Sequence, residues 1–225
     1  QYEERFEQRL ERKTKITSAY DLFLQAEIGL HWTFIHLKYG HEFDAALNLR
    51  QAYQTTQEIK KRFPKFTAIQ KTSGLLDVII GSVPEKYNWI LNLLDMEGSV
   101  DMGLHELETI RSSDHALAFE SNLLYAITKS FILQETGDGV QHVHEVLNEY
   151  PTNRLALFLG AALAIKNANS EEALSLLDRL GEQRSGLPLY YADYLRGEVY
   201  LHKAQYLNSI TAYRWFISYY KGQNY

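Results

Sequence analysis

The stretch Tyr190–Tyr220, YYADYLRGEVYLHKAQYLNSITAYRWFISYY, carries the fold in its spacing. Gly197 and Tyr200 stand three apart; after the break at Lys203-Ala204, Tyr206, Ser209 and Tyr213 keep the same helical period, and no strand-like alternation interrupts it. The reading is helix, short turn, helix. Further out, similar breaks recur at Gly40-His41, Phe63-Pro64, Gly81-Ser82-Val83-Pro84, Gly98-Ser99, Ser112-Ser113-Asp114, Gly137-Asp138-Gly139, Pro151-Thr152-Asn153, Asn167-Ala168-Asn169-Ser170 and Ser185-Gly186-Leu187-Pro188. Ser, Asp and Asn at these points suit helix starts, and Gly suits helix ends. Intervals of about 15 to 20 residues correspond to one helix plus one turn, which predicts about ten or eleven helices.

Between the breaks, Phe23, Ala26, Leu30, Phe34 and Leu37 share one helical face, as do Phe119, Leu123, Ile127 and Phe131. A second apolar face accompanies some helices: Ala45, Leu49 and Ala52 stand beside Phe43, Ala46, Leu47 and Tyr53. Helices covered on two sides belong inside a stack. The expected fold is therefore all-α, a right-handed α-solenoid of antiparallel helix pairs, with a compact bundle as the alternative. A single solenoid over 1–225 is expected, more divergent over 1–112 and more regular over 113–225. In Ile80–Trp89, Gly81 is expected to adopt a conformation closed to other residues, Ser82 to cap, and Pro84 to open a packed helix bearing Tyr87 and Trp89.

Composition narrows the function. The 225 residues are 45% hydrophobic, enough for a substantial core, and 23 Lys+Arg against 28 Asp+Glu leave a formal charge of −5, which disfavours nucleic acid and anionic lipid. Zero Cys removes disulfides, thiolate metal sites and cysteine nucleophiles. No run of roughly 18 apolar residues occurs, so no transmembrane helix is expected. The basic groups Arg5, Arg9, Arg12, Lys13 and Lys15, mixed with Glu3, Glu4, Glu7 and Glu11, and Lys60, Lys61, Arg62 and Lys65 read as solvated surface. The start at Gln1, without a signal peptide's apolar core, and the stop just after Tyr213–Tyr220 read as the ends of a piece cut from a longer chain. An uncovered aromatic last helix then implies either self-association through that helix or a mobile C-terminal helix.

The quoted segment resembles a tetratricopeptide repeat, with Gly197 and Tyr200 at its small and aromatic positions and Arg196 and Phe216 departing from it. A second partial match runs from Arg154 to Leu180, through Leu159-Gly160, Leu163 and Glu171-Glu172-Ala173-Leu174, and Lys38–Ala46 is similar at the turn. More narrowly, Arg62–Phe66, Gly74-Leu75-Leu76, Ile80–Trp89, Gly98-Ser99 and Lys221–Tyr225 resemble long exported tetratricopeptide-type proteins of Bacteroidetes. That resemblance implies a periplasmic or cell-envelope location and says nothing of an activity. The repeat resemblance implies that the first helix of each pair lines a concave surface, which makes Tyr191, Tyr194, Glu198 and Leu201, with Arg154 and Leu157, candidate peptide-binding residues.

Chemical motifs are sparse. His41-Glu42, His105-Glu106 and His144-Glu145 each lack a second His four residues on, and His142 and His144 diverge on a helix, so no metal and no cofactor are expected. Neither a nucleophile elbow nor a phosphate loop occurs, and Gly137-Asp138-Gly139 reads as a helix break. Paired acids on helices read as exposed salt-bridge partners, so no catalytic residue is expected. Of the 16 Tyr, Tyr190, Tyr191, Tyr194, Tyr200, Tyr206, Tyr213, Tyr219 and Tyr220 crowd near the C-terminal end with Trp215 and Phe216, and suit half-buried packing or contact surfaces. The expectation is a non-enzymatic scaffold that holds a protein or peptide segment on its concave face. A hydrolase or carbohydrate-processing enzyme with a carboxylate pair assembled across helices, and a purely structural spacer, are the alternatives.

Overall fold

The computed structural model describes residues 18–183 and 185–222, and the basic group Arg5–Lys15 lies outside them. Eleven α-helices and no strand occur among the described residues. They are α1 (Ala19–Lys38), α2 (Glu42–Arg62), α3 (Ile69–Gly81), α4 (Asn88–Leu93), α5 (Val100–Arg111), α6 (Ala118–Ile127), α7 (Thr136–Glu149), α8 (Arg154–Lys166), α9 (Ser170–Glu182), α10 (Tyr191–His202) and α11 (Tyr206–Tyr219). The all-α expectation holds. Helix starts use the expected chemistry: Ser18, Ser99, Asn153 and Asn169 accept hydrogen bonds from the backbone N–H of Asp21, Met102, Ala156 and Glu172. None of the described helices is long and apolar enough to cross a membrane.

Helix ends are more uniform than the sequence suggested. After α1, the N–H of His41 donates to the carbonyl of His36 (2.9 Å) and that of Gly40 to Leu37 (3.2 Å), with Gly40 at φ 74°. The same pair of bonds closes α8, where Ala168 takes φ 56°, and α10, where Ala204 takes φ 55°. Each is a Schellman turn, which folds the chain back within three residues and makes hairpins of α1 with α2, α8 with α9 and α10 with α11. Gly137-Asp138-Gly139 is no break but the first turn of α7; the chain bends just before it, where a wider π turn spans Thr128–Ile132 and Gln134 takes φ 63°.

The chain divides between Ala118 and Phe119 into two units. In the first, Leu22, Phe23, Ile59 and Ile69 form one buried cluster, and Leu30, Ala52, Leu76, Ile80 and Met96 another. Helices α3 and α5 cross closely: a Cβ on Gly74 would lie 2.8 Å from the Gly103 carbonyl. In the second unit, Leu123, Val143, Leu157, Leu163, Leu176, Leu177 and Leu180 form the core between α6, α7, α8 and α9. Burial of side chains of this size contributes on the order of 2 kcal/mol each.

Several local expectations are corrected. Gly81 is helical and has no positive φ; it is required because an added Cβ would meet the Val100 nitrogen at 2.7 Å. Ser82 ends α3 and donates to the Ile79 carbonyl, and Pro84 precedes a 3-10 turn at Glu85–Tyr87. Trp89 is exposed, and α4 buries none of its described side chains. Phe34, Leu37, Ile127 and Phe131, expected on core-facing stripes, are also exposed.

Candidate functional site

The C-terminal hairpin shows where the tyrosines go. Gly197 lets α11 approach α10 so closely that a Cβ there would lie 2.6 Å from the Tyr213 ring. Tyr191 then packs on Phe216 and Tyr220 (centroids 5.2 Å in both cases), and Tyr194 on Tyr213 (5.6 Å) and Phe216 (5.5 Å). The Tyr213 hydroxyl donates to Glu198. Burial, that hydrogen bond and the Glu198 charge raise the Tyr213 pKa well above the ordinary phenol value. The Glu198 charge, ahead of burial, raises that of Tyr194. This cluster joins the two helices, with Tyr194 at its exposed margin.

A different face of α10 opens onto a cleft of about 230 Å³ in the second unit. Leu177 and Leu180 of α9 and Leu189 supply apolar lining, Tyr190 and Trp215 aromatic surface, and Arg154, Asp193 and Arg196 charge. Arg154 stands at the first position of α8, directly after its Asn153 cap. Its Nη1 donates to the Ser185 carbonyl at 2.6 Å. Gly186, at φ 87°, permits that approach, because a Cβ there would lie 2.7 Å from the same nitrogen. The Nε of Arg154 is buried and has no hydrogen-bond partner among the described residues. Arg196 Nη1 donates to Asp178 at 2.6 Å. Burial raises the Asp193 pKa above the usual carboxylate range, and the positive charge of Arg196 offsets part of that rise. The cleft thus combines two guanidinium groups with flat apolar surface, an arrangement able to bind carboxylates or peptide carbonyls beside an apolar side chain.

The six candidate residues fall into separate places. Arg154 lines the cleft. Tyr191, Tyr194 and Glu198 belong to the helix-pairing cluster, and Leu201 is exposed towards the end of α10. Leu157 is fully buried in the core and presents no surface to a ligand. Asp193, Arg196, Tyr190 and Trp215 complete the cleft and were not among the six candidates. Arg196 had a signal, since it departs from the repeat pattern; Asp193 had none beyond its position one turn earlier.

The first unit holds a buried polar network where the sequence suggested exposed acids. Lys60 Nζ lies 2.7 Å from Glu106 and 3.8 Å from Asp77, and Ser73 donates to Glu106. Lys71 and Thr72, on the same helix α3 as Asp77, donate to Glu27 of α1. Burial, ahead of the Lys60 charge that opposes it, pushes the Asp77 carboxyl up to about 6. Of the second basic group, Lys60 is bound in this network and Arg62 is paired with Glu58. No family model matches the chain, and no curated relative matches it.

Proposed function

We propose that the protein is a non-enzymatic recognition module of tetratricopeptide-like helix pairs stacked as a solenoid, which binds a peptide or protein segment through the cleft of its second unit. The observation that carries this reading is the convergence of the Arg154 and Arg196 guanidinium groups with Tyr190 and Trp215 over an apolar lining. Guanidinium groups at the rim of an apolar cleft offer charged, planar donors to a ligand carboxylate or carbonyl. Aromatic and Arg side chains are also the residues that concentrate binding energy at interfaces. A spacer would need no such lining. Random-peptide selection on the immobilised chain is expected to enrich segments that pair Asp, Glu or a free C-terminal carboxylate with a large apolar residue. Arg154→Gln and Trp215→Ala should each weaken the selected peptides by about tenfold or more, at unchanged helicity. Peptides that bind both variants as well as the parent would refute the assignment.

A hydrolase reading is favoured by one observation, the Asp77 carboxyl poised near neutrality beside Glu106. Neither residue lines the cleft, and Lys60 together with Ser73 occupies hydrogen-bonding positions on Glu106 that a substrate would need. The network reads better as a joint between α2, α3 and α5.

A further inference from the structure

The turn between α1 and α2 brings together three side chains that the proposed peptide cleft does not use. His36 lies in the last turn of α1, His41 directly precedes α2, and Asp44 is in the first turn of α2. One potential ligand atom from each lies within 4.8 Å of the other two. The juxtaposition follows from the Schellman turn. The bond that spans more residues joins the His41 N–H to the His36 carbonyl at 2.9 Å, so the backbone itself holds the two histidines side by side. In such turns these two positions commonly carry an apolar pair; here both carry imidazole, with ring centroids 5.8 Å apart and tilted by 37°. His41 Nδ1 and Asp44 Oδ2 are 3.7 Å apart, too far for a hydrogen bond. That separation is close to the edge, about 3.3 Å, of a tetrahedron with metal–ligand bonds of about 2.0–2.1 Å.

We propose that His36, His41 and Asp44 form a binding site for a divalent first-row transition ion. Two neutral imidazoles and one carboxylate suit Zn²⁺, Ni²⁺ or Cu²⁺ rather than Mg²⁺ or Ca²⁺, which prefer oxygen donors. His41 and Asp44 are more than half exposed, so an ion can enter from solvent, short side-chain rotations close the remaining gap, and water completes the coordination. The bound ion would clamp the end of α1 to the start of α2 and stabilise that hairpin by mass action. A packing role for the histidine rings makes a different prediction, because phenylalanine would preserve it.

The test is calorimetric titration of the untagged chain with ZnCl₂, paired with Cu²⁺ quenching of Trp32, whose ring lies 5.7 Å from that of His36. The expected result is one saturable site, weakened about tenfold or more in the His36→Phe/His41→Phe double variant and measurably in Asp44→Asn. Thermal melts without metal check that the variants fold, and Asp44→Asn, exposed and nearly isosteric, keeps the test valid if the double variant does not. Equal Zn²⁺ affinity in parent and variants, or no saturation below about 1 mM, would overturn the site.

Discussion

Asp77 shows what a single residue gains and loses by being placed in a helix interface. Its carboxyl titrates at about 6 in the folded chain, against about 3.9 when unfolded, because burial outweighs the attraction of Lys60. The folded state therefore binds the proton more tightly. Its contribution to stability is fully present below about pH 4 and is lost as pH rises through about 6, a change of up to about 3 kcal/mol. Asp77→Asn cannot ionise and removes this dependence. The stability of the variant relative to the parent should thus increase between pH 4 and 7, as read from urea midpoints at each pH. A constant difference across that range would show that Asp77 is not the group responsible.

At the scale of the element, the recurring device is the Schellman turn, and its middle residue tests it. Gly40 has open space around its missing Cβ, so Gly40→Ala costs only the left-handed conformation, about 1 kcal/mol. Ala204 already bears that strain at φ 55°. Ala204→Gly should therefore be stabilising, by up to about 1 kcal/mol and less whatever glycine's greater unfolded freedom removes. Opposite signs for the two substitutions in chemical denaturation would establish that both turns use the same geometry; a destabilising Ala204→Gly would contradict it. The capping residues were legible because a cap needs only a short polar side chain at one position. Ala168 and Ala204 at left-handed positions were not, since alanine carries no local preference for them and the surrounding hairpin imposes the conformation.

Across the molecule, the clearest uncovered surface is on α11, where Leu207, Ile210 and Ile217 are exposed on one helical stripe interrupted by Arg214. Apolar stripes of this kind seek a second surface. We expect the mass measured by light scattering to rise with concentration, and Ile210→Lys/Ile217→Lys to restore the monomer value; a parent chain that stays monomeric throughout would refute this. From residue order alone, the helical period, the caps and the hairpin breaks were readable, because they depend on neighbours within about four positions. That is why the all-α architecture and the helix–turn–helix order of α10 and α11 are legible in residue order, while the repeat resemblance supplied the small position at Gly197. The cleft and the buried network could not. Arg154 comes to line one cleft with Asp193 and Arg196, and Lys60 meets Asp77 and Glu106, only through helix packing across long separations, and the face each helix buries depends on those partners. His36 and His41, close in sequence, escaped for a related reason: they lie on opposite sides of a turn, where helical period no longer says which side chains meet.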